Sequence, residues 1–416
     1  MAEVTVTTTP APAAPAEARP SRRQVWWALL ALATGSFMIG TTEFVSMGLL
    51  PQIAAGVGVS VPTAGHVISA YALGVVVGAP VLAVLGARLP RRGLLLSLMA
   101  VMLVGNALTA LAQGYGQLMG ARFLSGLPHG AYFGVAALVA ADLVSPKRRA
   151  QAVSLVMTGL TVATLLGVPV ATRLGQLLGW RAAYGLVVVL AVATLLLVVL
   201  LVPRMAADRG ASGRTELRAL REPQVLLTAL AGAIGFGGMF AVYTYIASTV
   251  TEVARQPEAM VPVYLLAFGT GSVLGTLLGG RLADWSVLRA TVYGALAMGV
   301  LLAVFALVAE SVVLGMLTVF AISGAGGIFT IGLQMRLIHV AGAARTLGAA
   351  LNHSALNAAN ALGAWLGGLV VAAGFGYSST AWVGVVLSAL GLGVLGVSVL
   401  LQRRSTAAAL SSASTS

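Results

Sequence analysis

Glu43, Arg122 and His129 of this 416-residue chain are of types that can trade a proton against another charge. All three stand inside long apolar runs. A charged side chain at the centre of a bilayer costs about 2.5–3.5 kcal/mol or more, so such residues are functional candidates by default. A carboxyl that is neutral when dry and ionised when wet suits proton exchange, which singles out Glu43; the alternative is a structural carboxylate paired permanently with an arginine. Arg122 enters its run about five residues from one end, roughly 7–8 Å deep, and Glu43 reaches roughly 10 Å below the same surface. Similar depth allows contact, either as a switch that a proton or substrate breaks or as a static ion pair. Arg122, Gly126, His129 and Phe133 follow helical spacing and share a face. His129, with an ordinary pKa of about 6.5, can then relay protons, or simply be hydrogen-bonded.

The elements that hold these residues are membrane helices. Charged residues make up 8% of the chain and hydrophobic ones 59%, against about 25% charged in a soluble domain. A spanning helix takes roughly 20 apolar residues, and runs this long are helices because backbone in lipid must satisfy itself. Twelve spans are expected, at about 25–50, 63–87, 93–113, 117–141, 151–173, 182–202, 224–250, 260–281, 290–309, 313–336, 347–373 and 380–402. Twenty of the 24 basic residues then fall in alternate gaps, three (Arg173, Arg181, Arg255) in the others, and Arg122 within a span. That sorting is the positive-inside pattern, and it places both termini in the cytoplasm. The formal charge of +13 is dispersed over loops, so nucleic acid is not an expected partner; the lipid bilayer is.

Residues 1–24 read as a disordered cytoplasmic tail, 25–202 as an N-terminal six-helix bundle, 203–222 as an arginine-rich cytoplasmic linker, 223–402 as a C-terminal six-helix bundle and 403–416 as a second tail. The expected fold class is an all-α membrane protein with two pseudo-symmetric bundles, an architecture whose substrate site lies between the halves near mid-membrane. Glycines spaced by four, Gly74/Gly78 and Gly271/Gly275/Gly279, point to close helix packing. There are no cysteines, so disulfides and thiolate chemistry are excluded. No phosphate-cradling loop is present, so ATP is not the energy source. The four histidines lie on different helices or their ends, with no nucleophile–base pair or metal set; neither an enzyme nor a cofactor or metal is expected.

Two segments carry a family resemblance: Gly40-Thr-Thr-Glu43-Phe-Val-Ser-Met-Gly48-Leu-Leu-Pro51, and Arg122-Phe-Leu-Ser-Gly126-Leu-Pro-His129-Gly130. Gly159 through Gly167-Val-Pro169 and Gly179-Trp180-Arg181 add to it. The chain resembles the major facilitator superfamily, in its twelve-helix drug:proton antiporter branch, and is similar to arabinose-efflux-like and chloramphenicol-exporter-like bacterial permeases. The resemblance implies that helices one, four, seven and ten line a cavity. It also implies a place in the bacterial inner membrane and a small-molecule substrate exchanged for protons by a monomer. Met47, Gly126, Phe133, Phe236, Phe240, Tyr243 and Gln334 are then substrate candidates; Gly167 and Pro169 belong to a helix-five motif associated with antiport, and Gly280 and Asp284 to a gating loop. Two departures stand out: the loop after helix two carries Ala87 in place of an aspartate, and the antiport motif ends Pro169-Val-Ala171 without its trailing glycines.

Helix seven presents Phe236, Phe240, Tyr243 and Ala247 on one face, which is either packing or a wall for an apolar or aromatic ligand. Helix eleven carries a stripe of His353, Asn357, Asn360 and Ala364, for which interhelical hydrogen bonding is the leading expectation and substrate contact, above all by Asn357, the other. Should that stripe face the cavity, it favours a sugar or metabolite over a drug. The expected function is proton-coupled export of a small, largely apolar compound, with a sugar or metabolite exporter or an uncoupled facilitator as alternative.

Overall fold

The computed structural model describes residues 21–86, 89–205, 222–342 and 345–413. Twelve helices among them are long and apolar enough to cross a membrane: α1 Arg22–Gly48, α2 Val61–Gly86, α3 Arg91–Leu111, α4 Tyr115–Asp142, α5 Pro146–Leu178, α6 Trp180–Leu201, α7 Pro223–Thr244, α8 Glu258–Trp285, α9 Val287–Val308, α10 Val312–Val340, α11 Arg345–Ala372 and α12 Ser379–Ala413. The expected count and class hold.

The ends differ from the sequence reading for local reasons. Helix α1 starts at Arg22, inside the expected tail, because Ser21 and Gln24 form a reciprocal cap. Helix α12 runs past the expected boundary at residue 403 to Ala413, through an alanine-rich stretch of high helix propensity. The expected disordered tail at residues 1–20 and the linker core at 206–221 lie outside the described residues.

Packing repeats between the halves. In the N-terminal half α1 packs on α5 and α6, α3 on α6, and α4 on α2 and α3. The C-terminal half repeats this with α7 on α11 and α12, α9 on α12, and α10 on α8 and α9. The halves meet along two corresponding seams, α2 against α11 and α5 against α8. Glycines permit the close approaches: a Cβ at Gly74 or Gly78 of α2 would strike α4 backbone, and one at Gly271 or Gly275 of α8 would strike α10. Where α5 meets α8, a π-helical turn at Ala163–Gly167 precedes Pro169. Proline removes a helix donor and bends the chain there, and a Cβ at Gly269 of α8 would strike Thr164 in that turn.

The core shows which end of the seam is shut. At the end away from the basic loops, Met47, Leu50, Ala54, Ala64 and Ile68 of the N-terminal half form one apolar cluster with Ile246, Ala247, Val250 and Leu265 of the C-terminal half. Toward the basic end, the cluster around Leu95, Met99, Val139 and Val187 draws its described residues from the N-terminal half alone. Among the described residues, the halves are sealed by apolar packing at the end away from the basic loops.

Candidate functional site

Arg122 is fully buried in α4. Its partner is not Glu43. One terminal nitrogen donates to Thr42 Oγ1 at 3.1 Å and the other to the Thr42 carbonyl at 3.1 Å. Thr42 Oγ1 in turn donates to Asn106 Oδ1 of α3 at 2.5 Å, and Asn106 Nδ2 donates to the Met102 carbonyl at 2.8 Å. The guanidinium lies 4.3 Å from the centroid of the Tyr71 ring and 5.4 Å from that of Tyr184. Two ring faces stabilise this buried cation by roughly 0.5–2 kcal/mol each. The static ion pair considered from similar depth is therefore not formed: the threonine beside Glu43 takes both terminal nitrogens.

Glu43 is left buried, 5% exposed, with no hydrogen bond or ion pair among the described residues. It stays within electrostatic reach of Arg122, Tyr71 and Tyr243. The next residue, Phe44, crosses the seam: its ring stacks with Phe240 at 6.4 Å and meets Tyr243 edge-on at 5.9 Å. The carboxyl thus has no fixed partner and stands beside a contact between the halves.

Tyr71 of α2 joins the arginine to the histidine. Its hydroxyl shares a hydrogen bond with His129 Nδ1 at 3.0 Å. His129, 1% exposed, lies beside Phe133 at 5.2 Å between centroids, and Phe133 stacks on His353 of α11 at 5.3 Å with planes 6° apart. Arg122, His129 and Phe133 are thus brought together, as their shared spacing predicts. Gly126, on the same face, is filled by packing: a Cβ there would strike the Tyr71 carbonyl.

The helix-seven aromatics gather at the seam. Phe236 meets Phe240 at 5.4 Å and Phe329 of α10 at 6.0 Å. Tyr243 stacks on Phe268 of α8 at 3.8 Å, and its hydroxyl is buried without a hydrogen-bond partner. Beside it a residual cavity of about 10 Å³ remains, with Met239 and Ile322 in its wall. That admits about one water, so a drug-sized ligand enters there only when the helices separate.

Helix α11 departs from expectation. Gly363 and Gly367 back onto α7, while the Ala361 carbonyl accepts from Ser69 Oγ of α2 at 3.0 Å. His353, Asn357, Asn360 and Ala364 lie between those flanks by helical spacing, and the His353 stack on Phe133 shows that this face looks across the seam. Of the interhelical hydrogen bonds expected of the stripe, the Ala364 carbonyl makes one, accepting from Tyr245 Oη at 2.9 Å, while the Asn357 and Asn360 side chains make none among the described residues. Asn357 Nδ2 donates within its own helix, to the His353 carbonyl at 3.1 Å, while Asn357 Oδ1 and both polar atoms of the Asn360 amide are buried without a protein partner. Each such atom costs about 1–3 kcal/mol.

The other candidates are scattered. Met47 is fully buried in the sealed end of the seam, and Gln334 is half-buried on α10. Gly167 packs on Thr41 and Phe37 of α1, and Pro169 is buried just past the π turn. Gly280 has open space around it, and exposed Asp284 makes no ion pair among the described residues. Ala87 lies outside the described residues. At the corresponding end of the N-terminal half, Arg91 pairs instead with Asp142 of α4. Sequence reasoning passed over Thr42, Tyr71 and Asn106. Asn106 had a usable signal, an amide within an apolar run; Tyr71 and Thr42 had none beyond their neighbours.

The fold and sequence comparisons agree. The profile of the Major Facilitator Superfamily matches residues 32–342. The inner membrane transport protein YdhP of Escherichia coli K12 is 41% identical over 88% of this chain and 94% of its own. The putative transporter AraJ of the same organism is 36% identical over 86% and 92%. A chloramphenicol resistance protein of Streptomyces lividans is 34% identical over 84% and 90%. A D-xylose–proton symporter has the same fold, with a TM-score of 0.72 at 15% identity, covering 89% of this chain and 97% of that one. Two six-helix halves, a basic residue buried in α4 and relatives this similar along most of the length lead to one conclusion: the chain belongs to the Major Facilitator Superfamily, as a multi-pass membrane transporter.

Proposed function

We propose that the protein exports a small, largely apolar compound in exchange for protons, by alternating access, as a monomer in the bacterial inner membrane with both termini cytoplasmic. The observation that carries this reading is Glu43: buried, without a fixed partner, beside an arginine held by Thr42, and next to the Phe44 contact between halves. A permanent ion pair would have locked the carboxyl in one charge state. Here wetting from one side ionises it, and closure of the halves favours its neutral form. Open outward, Glu43 takes a proton and substrate leaves; open inward, the proton leaves and substrate binds. The driving force suffices, since one charge moving through 100 mV yields about 2.3 kcal/mol. The relative named for chloramphenicol resistance supports a drug-like cargo.

The test is proton movement in liposomes loaded with a pH-sensitive dye. Chloramphenicol is added under an imposed pH gradient, with D-xylose as the polar comparison. Expected is chloramphenicol-driven proton flux that vanishes in Glu43→Gln. Equal flux in wild type and mutant removes Glu43 from the mechanism. A polar-cargo exporter is the second reading, favoured by the unpartnered α11 amides.

A further inference from the structure

We propose that Asn357 and Asn360 of α11 read a hydrogen-bonding group on the cargo while Phe240 and Tyr243 of α7 hold an aromatic ring, so that the substrate is an uncharged aromatic compound bearing an amide. The inference rests on the transport reading above and sharpens its substrate class.

Three facts converge. Asn360 is fully buried and Asn357 is 3% exposed, yet three of their four amide atoms have no protein partner. The unpartnered set contains a donor, Asn360 Nδ2, and two acceptors, the Oδ1 atoms, which is the complement of an amide group. The face they occupy lies between α7 and α2 and is continuous with His353, whose ring crosses the seam to Phe133. Beside it, Phe240 packs against Gly363, one turn from Asn360, and continues into the Phe44 and Tyr243 rings. Tyr243 adds a further buried hydroxyl without a partner.

Packing alone does not explain this choice of residues. A leucine of similar size at 360 would fill the space with no polar atom left unpaired, and replacing an unpaired polar group in this way is neutral or stabilising. A site built to hydrogen-bond its ligand, by contrast, discriminates strongly against an analogue lacking that group. The aromatic rings provide the complementary apolar surface.

The experiment measures thermal unfolding of the purified full chain in detergent, at one pH and without a gradient. The probes are N-benzylacetamide and butylbenzene, a matched pair with and without the amide. In wild type, N-benzylacetamide is expected to raise the melting temperature and butylbenzene to raise it less. In Asn360→Leu and Asn357→Leu the ligand-free protein melts no lower than wild type, while apparent affinity for N-benzylacetamide falls about tenfold or more and the preference over butylbenzene is lost. Asn360→Gln keeps both amide atoms and retains part of the preference. The proposal is overturned if wild type shows no preference for the amide, if neither probe shifts it, or if the leucine variants keep the wild-type preference. Because no proton movement is read, loss of coupling through Glu43 and loss of this amide site are separate results.

Discussion

The two halves differ in how far their buried polar groups are satisfied. In the N-terminal half Asn106, Thr42, Arg122, Tyr71 and His129 form one connected set, each with a named partner. In the C-terminal half the amides of Asn357 and Asn360 and the hydroxyls of Tyr243, Thr244 and Ser388 carry buried atoms without one. Of the fourteen such atoms among the described residues, ten belong to the C-terminal half, so the contrast extends beyond one site. Related packing therefore supports two different interiors. A connected network fixes geometry, which suits holding a charge beside Glu43, even though Arg122 Nε itself is buried without a partner.

Substitutions can break this contrast. The largest effect is expected from Arg122→Leu, which removes the cation from two aromatic faces and two acceptors. Thermal unfolding in detergent should show a loss on the order of 3 kcal/mol, with transport abolished; wild-type stability would show that the network is not structural. Asn106→Leu comes next, at about 1–3 kcal/mol, because it leaves the Thr42 hydroxyl without its acceptor. Tyr71→Phe keeps the ring under Arg122 and loses only the hydrogen bond to His129, for about 0.5–1.5 kcal/mol. Asn360→Leu, the same exchange as at 106 but in the other half, should cost about nothing or stabilise slightly. If 106 and 360 respond alike in the same unfolding assay, the distinction between the halves fails.

Much of this was legible in the sequence, though not the pairings. Composition and loop arginines gave twelve helices and two halves, and the glycines spaced by four marked real close approaches at Gly74, Gly78, Gly271 and Gly275. Arg122 was legible because a lone cation in an apolar run has a price. Its partner was not, since rise per residue gives depth along a helix and says little about which neighbour a flexible side chain reaches; Thr42 and Glu43 lie at nearly the same depth. Helix α7 breaks at Phe236 and Tyr245 without a proline to announce it. The Asn360 amide was visible as a polar residue, but its lack of partners depends on what α7 and α2 place around it.

One consequence follows from the apolar cluster that closes the seam away from the basic loops. Parting the halves there must wet Met47, Leu50, Ile68 and Ile246 together, and exposing apolar surface costs about 25 cal/mol per Å². In the proposed orientation, that cost holds the door to the outside world shut. Solute beyond that end then finds no ready way through, and the membrane does not leak by way of this transporter.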